Sequence, residues 1–153
     1  MTELLKPTDN FAQTATLSAF KGHMADDDIH SYLKSLSATG VPDPLGATAS
    51  LTFAVFWGVC KCEPRDKPWV FDEDVWGIGA AAIASAGFMY TACSSWNDFF
   101  TRTTGFHVQG ITEGGGVYQI NWFDGGTPIG QFNGASGGIA AFEAGANGKW
   151  KKK

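Results

Sequence analysis

The chain has 153 residues, of which 44% are apolar, 17% are charged and 20 are glycines, and its formal net charge is -4. That length suffices for one domain whose hydrophobic core needs no metal or disulfide. The acidic balance without a basic stripe excludes a nucleic-acid-binding surface, and the apolar runs at residues 51–62 and 77–93 are too short or too rich in Gly, Ser and Ala for a membrane-spanning helix.

The first 46 residues hold few aromatic side chains and are predicted to form an N-terminal extension. Ile29, Leu33 and Leu36 recur at i, i+4 and i+7 after the acidic run at residues 26–28, which predicts a short helix with aspartates at its N-terminus. Residues 14–24 fit a weaker helical pattern. We expect this extension to dock on the rest of the chain.

Beyond residue 47 apolar residues alternate with a period of two, which is typical of strands. A charged turn is predicted at residues 63–68, and glycine turns at residues 114–116, 124–126 and 133–134. The predicted strands number about eight. They are residues 48–62, 69–71, 75–83, 87–93, 105–111, 117–123, 128–133 and 138–143.

Such spacing, with hairpin turns and no helices between the strands, favours a sandwich or a small barrel. The small residues at 77–82 let a sheet bend and close, and closure removes exposed strand edges. We therefore predict an all-β fold, a closed antiparallel β-barrel of about eight short strands. The barrel is assigned to residues 47–150, after a partly helical extension at residues 1–46 and before a basic tail at residues 151–153.

No group of residues predicts a catalytic, cofactor-binding or metal site. Asp72 and Asp74 face the same way on a strand, but Glu73 lies between them, and a solvated turn explains the cluster more simply. Asp124 is interpreted as a turn residue that accepts hydrogen bonds from the turn's own amides. Asn121 is interpreted as an inward-facing residue that bonds the barrel wall.

The histidines carry equally weak signals. His107 can form a triad with Cys93 or Ser94, but only the residue types support that hypothesis. His23 and His30 flank the acidic run, where a capped helix start is preferred to a metal cluster.

The three cysteines do not predict a disulfide framework, because an odd number cannot pair within one chain. Cys60 and Cys62 are one residue too close for a zinc knuckle or a thioredoxin motif. Both are therefore predicted to be buried apolar side chains.

Surface contacts remain as candidates for function. The tail at residues 149–153 places one tryptophan beside four lysines and can rest on an anionic lipid surface, although a solvated terminus is the simpler interpretation. The other tryptophans are candidates for stacking on a ligand, with most expected in the core. The predicted surface-binding residues are Trp96, Trp150, Lys151, Lys152 and Lys153.

Two segments carry a family resemblance. They are residues 70–74, which read Val-Phe-Asp-Glu-Asp before Gly77, and residues 116–124, which read Gly-Val-Tyr-Gln-Ile-Asn-Trp-Phe-Asp. With residues between and after them, they make the chain similar to the rhodococcal virulence-associated protein family over about residues 48–150. The first 46 residues match nothing in that family.

The resemblance implies a compact eight-stranded barrel without an active site or cofactor, found in secreted effectors that help a pathogen survive in host phagocytes. The function expected from it is non-enzymatic binding to a host or target protein, or to a lipid surface. The alternatives are a lipocalin-like carrier of an apolar ligand and an enzyme built from residues such as His107, Asp72 and Ser94. Because the chain starts without a signal-like stretch, a cytoplasmic location is the alternative to secretion.

Overall fold

The computed structural model describes residues 6–38, 40–111, 117–135 and 142–153. The helices within these ranges are α1 (Asn10–Phe20), α2 (Asp26–Ser35) and α3 (Trp96–Arg102). The strands are β1 (Leu45–Pro64), β2 (Trp69–Thr91), β3 (Gly105–Ile111), β4 (Val117–Asp124), β5 (Thr127–Ala135), β6 (Phe142–Asn147) and β7 (Lys151–Lys152). The predicted turn at residues 114–116 and most of the predicted strand at residues 138–143 lie outside the described residues.

The strands form a closed antiparallel barrel, which confirms the predicted fold class. Neighbouring strands follow the order β1-β2-β5-β4-β3-β6, and β6 pairs again with β2, which closes the ring. β7 pairs with the start of β2. Residues 105–111 form β3 as predicted, and β4 and β5 match their predicted segments with small extensions.

The strands are not all short, because β1 has 20 residues and β2 has 23. The prediction of three strands at residues 69–71, 75–83 and 87–93 is wrong, since the single strand β2 runs through all three and ends at Thr91. The acidic and small residues between them were interpreted as breaks. In the barrel these residues stay paired with β1, as in Val59 opposite Asp74 and Ala49 opposite Ser85.

β1 bends back on itself. The main-chain N–H of Arg65 donates to the carbonyl of Gly46 at 2.8 Å, so residues from the two ends of β1 meet. A Cβ on Gly58 would lie 2.9 Å from Phe53 Cα and overlap the carbonyl of Thr52, which means that the two halves also touch near the bend. The register with β2 shifts between Val55 and Trp57, which places a bulge at the bend.

The barrel interior is filled with apolar side chains. The largest that are fully buried are Trp122, Tyr118, Phe71, Phe99 and Phe132. Aromatic rings in this cluster pack edge to face, as between Phe71 and Phe106 with centroids 4.7 Å apart.

α3 was missed by the sequence analysis, which treated residues 94–98 as a polar segment. It begins after Ser95, whose hydroxyl oxygen accepts a hydrogen bond from the Asp98 N–H at 3.0 Å. Its apolar side chains Trp96, Phe99 and Phe100 join the barrel interior.

The predicted turn at Asn133-Gly134 is also wrong, because both residues lie within β5. Gly134 is needed there for close packing. A Cβ on it would lie 2.8 Å from Phe132 Cζ and 3.0 Å from the carbonyl of Ala86 on the neighbouring strand.

α1 and α2 pack on the outer face of the barrel. Tyr32 of α2 donates its hydroxyl to the carbonyl of Gly130 at 2.8 Å, and Thr16 of α1 donates to Gln119 at 3.2 Å. The three aspartates lie in the first turn of α2, while its N-cap is Ala25, so they act on the helix dipole and not as side-chain caps. β1 starts at Leu45, so the predicted boundary after residue 46 falls inside a strand.

Candidate functional site

Five large apolar side chains are exposed where β1 and β2 bend together. We call this surface the bend patch; its members are Val55, Phe56, Trp57, Trp76 and Ile78. Ile78 is 78% exposed and Phe56 is 63% exposed. Large apolar side chains clustered in this way mark interaction sites in soluble proteins.

The local backbone explains why these side chains point to solvent. Phe56 lies opposite two residues of β2, Gly77 and Ile78, so the extra residue of the bulge is on β2. On β1 the inward and outward alternation breaks at the same place, where residues 54–57 are all exposed. Val55 has a φ of 63°, a left-handed conformation that a β-branched residue rarely adopts. Strain of this kind persists only where the surrounding structure imposes it, and it collects at functional sites.

The stretches of β1 and β2 that form the bend patch carry no formal charge, and the nearest charges are the exposed Asp74 on β2 and Glu143, which pairs with Ile78 from β6. Residues 45–60 and 75–97 contain no Asp, Glu, Lys or Arg. Small side chains continue outward from the patch on both strands. The exposed ones are Thr48, Thr52, Ala54, Ala80, Ala82, Ala84 and Ala86.

Two of the predicted surface-binding residues are buried. Trp96 is 7% exposed, and its indole N–H donates to the carbonyl of Asp43 at 2.9 Å. Trp150 is 5% exposed and packs on aromatic rings such as Phe100, at a centroid distance of 4.9 Å. Neither indole is available for a partner at the surface, because the interior of the closed barrel takes up both.

The three terminal lysines are exposed, and their role in binding stays a prediction. Lys151 Nζ lies 3.4 Å from Glu73 Oε1, and Lys153 Nζ lies 3.6 Å from Glu63 Oε2. Lys152 Nζ lies 5.4 Å from the ring centroid of Trp69. Exposed ion pairs such as these stabilise a fold little, so the lysines can exchange partners.

The residues considered for a catalytic triad do not come together. His107 faces outward and lines a cavity of about 290 Å³ with His23 and Met24, whereas Cys93 belongs to the interior cluster. Burial raises the pKa of the Cys93 thiol, although Thr91 and Arg102 oppose that shift. A protonated thiol is a poor nucleophile.

The acidic and amide candidates have structural contacts. Asp124 accepts a hydrogen bond from Arg102 Nε at 3.1 Å, rather than from the amides of its own turn. Asp72 and Asp74 lie within β2 and not in a turn, and Asp72 faces Lys61 on β1. Asn121 does not point inward; its side chain is buried on the outer face of the barrel, beneath the N-terminal helices.

Cys60 and Cys62 are buried in the interior, as predicted. Burial raises the pKa of the Cys60 thiol to about 12, while a contact with the Tyr118 hydroxyl at 3.5 Å partly opposes that shift. Among the described residues, no three His, Cys, Asp or Glu side chains are close enough to hold a metal ion.

None of the helices in the described ranges has the length and hydropathy needed to cross a bilayer. A cavity of about 510 Å³ lies between the two halves of β1. Its rim includes the exposed side chains of Thr48, Lys61 and Glu63, so it opens at the surface of the barrel.

The bend patch was not identified from the sequence. Two signals were present, the charge-free runs and the pair Trp57 and Trp76, but most tryptophans were expected in the core. Strict alternation would have buried one side of each strand. Residues 54–57 of β1 face outward on both sides beside the bulge with β2, and a bulge has no reliable sequence pattern.

Comparisons with known proteins show what the chain is similar to. It matches the family model described as Rhodococcus equi virulence-associated protein over residues 5–151. The virulence-associated protein VapB of the intracellular pathogen Rhodococcus equi is 20% identical, with a TM-score of 0.58 over 72% of this chain and 98% of that chain. VapD of the same organism is 16% identical, with a TM-score of 0.62 over 71% of this chain and 97% of that chain.

No curated protein sequence is similar enough to count as a match. The family match and the two structures confirm both the barrel and the resemblance found at residues 48–150. The family match also takes in the N-terminal extension, which the resemblance left out.

Proposed function

The chain belongs to the Rhodococcus equi virulence-associated protein family, and from that premise we propose that it is a non-enzymatic virulence effector that binds a lipid bilayer through the bend patch. The observation that carries the proposal is the exposure of two tryptophans, a phenylalanine, a valine and an isoleucine on neighbouring stretches of β1 and β2 that contain no charged residue. Indole rings favour the interface between lipid headgroups and hydrocarbon, and exposed aliphatic side chains gain free energy on entering the hydrocarbon.

Binding at the outer surface fits this barrel better than carriage of a ligand inside it. Large side chains such as Trp122 and Phe132 are fully buried in the interior and contact one another through a shared cluster. A lipocalin-like carrier would need that volume for its ligand. The packed aromatic rings therefore support the outer-surface reading.

The surroundings of the candidate nucleophiles support a non-enzymatic role. The raised pKa values of the Cys60 and Cys93 thiols keep them protonated at neutral pH. The Asp124 carboxylate is engaged by Arg102. Within the described ranges, these groups do not share one pocket with His107.

The lysine tail is a competing contact, and it is well separated from the bend patch. Lys151 pairs with Val70 on β2, and Trp76 follows about 20 Å further along that strand at a rise of about 3.3 Å per residue. When the bend patch enters a bilayer, most of the tail therefore stays away from the membrane. We therefore expect binding that does not depend on anionic lipid.

Flotation with phosphatidylcholine vesicles tests the proposal. The variant carrying Phe56→Ser and Ile78→Ser removes the two most exposed apolar side chains, each contributing about 1.5–3 kcal/mol when buried. We expect its partition into vesicles to fall at least about 30-fold. The variant carrying Thr52→Ser and Ala84→Ser, on the same two strands, is the matched control and should bind like the wild type.

A variant with Lys151, Lys152 and Lys153 replaced by Gln separates the two surfaces. If the bend patch carries binding, this variant binds phosphatidylcholine as the wild type does. Loss of binding in the lysine variant with retention in the Phe56 and Ile78 variant would transfer the function to the tail. A wild-type chain that does not bind vesicles would overturn the proposal.

We also propose that the chain acts after export, as the family relation suggests. The three free thiols are compatible with an oxidising surrounding because all are buried. The test is to measure the chain in culture supernatant beside a cytoplasmic marker. Retention of both with the cells would contradict export but leave the lipid-binding proposal intact.

A further inference from the structure

Four amide side chains on the outer face of β4 and β5 form a closed ring of hydrogen bonds. Asn121 donates to Gln119 at 2.9 Å, Gln119 to Asn133 at 2.7 Å, Asn133 to Gln131 at 2.7 Å and Gln131 back to Asn121 at 2.8 Å. We call these four residues the amide ring. Each member donates once and accepts once within it, so the bonds reinforce one another.

The amide ring is completely covered, although it lies outside the barrel. All four side chains are fully buried. Their neighbours along the strands, such as Ile120 and Phe132, belong to the interior cluster, so alternation directs the amides outward. A helix usually packs on a sheet through apolar side chains, which makes a polar contact surface of this size unusual.

α1 covers the amide ring with main-chain groups and one hydroxyl, and α2 adds the Tyr32 hydroxyl, which lies 3.4 Å from Asn121 Oδ1. Gln119 donates to the carbonyl of Ala12 at 3.0 Å, and Gln131 donates to Thr16 Oγ1 at 2.9 Å. Gln109 on β3 donates to the carbonyl of Ala15. The helix backbone lies close to the strands because the side chains between them are small.

The part of α1 that lies over the strands before Phe20 presents a pattern of small residues. Ala12, Ala15, Thr16 and Ala19 occupy positions i, i+3, i+4 and i+7, and all four are buried. None of these four side chains, nor any member of the amide ring, carries a formal charge. Recognition between the two surfaces therefore rests on shape and on neutral hydrogen bonds.

α2 and the last turn of α1 are held by apolar side chains. Ile29, Leu33 and Leu36 are buried in a cluster with Tyr90 of β2, and Ala19 and Phe20 of α1 belong to the same cluster. Burial of apolar side chains favours docking more than hydrogen bonds that exchange for bonds with water. The part of α1 from Ala12 to Thr16 lies outside this cluster, so it can leave while Phe20 and α2 stay, and the amide ring keeps its own four bonds.

The connection between the two helices permits this movement. Gly22 has a φ of 84°, which glycine adopts without strain, and no atom outside its chain neighbours lies within 4 Å of the Cβ position. Lys21 and Met24 form a short bridge around it. A tight turn at a glycine is a suitable hinge for one helix to swing about the other.

We propose that the amide ring is a helix-binding site and that α1 is its tethered, exchangeable occupant. The partner that fits is a helix of another protein with small residues at i, i+3 and i+7 and a Ser or Thr at i+4. This partner reaches the amide ring when α1 swings away about Gly22. Its affinity should change little with salt, because neither surface is charged.

A peptide exchange experiment tests this proposal. In the full chain, Ala15→Arg places a guanidinium where α1 meets the barrel and should expel α1. A fluorescent peptide with the native sequence of residues 6–21 is the probe. We expect it to bind the Ala15→Arg chain at least tenfold more tightly than the wild type, in which the tethered helix competes at high effective concentration.

Two controls define the site. The same peptide with Ala12→Arg should not bind the Ala15→Arg chain. Adding Gln131→Met to that chain removes a donor of the amide ring at similar volume, and it should abolish binding of the native peptide. If the Ala15→Arg chain is folded but binds the native peptide no better than the wild type does, the site does not exchange helices.

If the Ala15→Arg chain does not fold, hydrogen exchange of the wild-type chain tests the proposal instead. We expect the α1 amide hydrogens to exchange through a local opening in which α1 leaves the barrel. This opening should be at least tenfold more populated than the openings that expose the amides of α2 and β4. Exchange of α1 only on global unfolding would make the helix an integral part of the fold and overturn the proposal.

Discussion

Trp57 on β1 and Trp76 on β2 lie directly opposite each other beside the bulge that follows Val55, and both indoles are exposed. Cross-strand pairs of aromatic residues stabilise a hairpin, but they usually shield one face from water. Here the pair forms the centre of the bend patch. The strands are therefore held in a bent form that keeps apolar surface in contact with solvent.

The bend patch should contribute little to stability. Ile78→Ser replaces a side chain that is 78% exposed, so we expect the free energy of unfolding to change by less than about 1 kcal/mol. Ile83→Ser on the same strand replaces a buried side chain and should cost about 3 kcal/mol or more. Urea unfolding of both variants measures the difference. Equal losses would mean that Ile78 is a core residue.

The left-handed conformation of Val55 should be relieved by glycine. Val55→Gly removes a strain of about 1–2 kcal/mol and adds about 0.5–1 kcal/mol of unfolded-state entropy. The free energy of unfolding should therefore stay the same or rise by up to about 1 kcal/mol. Val59→Gly, at an extended position of the same strand, should lower it by about 1 kcal/mol or more. Thermal unfolding that shows equal destabilisation by the two changes would exclude strain at Val55.

Stability should fall in alkaline solution. The Cys60 thiol keeps its proton in the folded chain up to about pH 12, whereas in the unfolded chain it ionises near pH 9. Its stabilising effect is complete below pH 9 and is lost as the pH rises toward 12, at up to about 1.4 kcal/mol per pH unit. Cys60→Ala should therefore make the decline between pH 9.5 and 10.5 shallower by about 1 kcal/mol per pH unit. Parallel urea-derived curves for the two proteins would contradict the raised pKa.

The amide ring should tolerate no missing member. Gln119→Leu leaves the partners Asn121 and Asn133 without their buried bonds, and we expect a loss of about 2–4 kcal/mol in the free energy of unfolding. Gln13→Leu on α1 is the matched control, because the Gln13 side chain contacts His30 Nδ1 at 3.3 Å, away from the amide ring. Its effect should stay within about 0.5 kcal/mol. A small effect of Gln119→Leu would show that water replaces the lost bonds.

Local patterns in the sequence were sufficient for several elements. Alternation of apolar residues predicted β3, β4 and β5 because each of these strands has one face in the interior. The recurrence of Ile29, Leu33 and Leu36 predicted α2 for the same reason, since one face of that helix is buried. The two segments at residues 70–74 and 116–124 were enough to indicate the family.

Only the tertiary structure decided which face of each strand is inside. Alternation places Asn121 and Trp122 on opposite sides but does not say which side faces the interior, and closure of the barrel assigns that side to Trp122. The same closure buries Trp96 and Trp150, which were expected at the surface. The bend patch and the amide ring depend on contacts between distant residues, such as Arg65 with Gly46 and Gln131 with Thr16. A sequence determines local periodicity, but surfaces of this kind form only when the chain closes on itself.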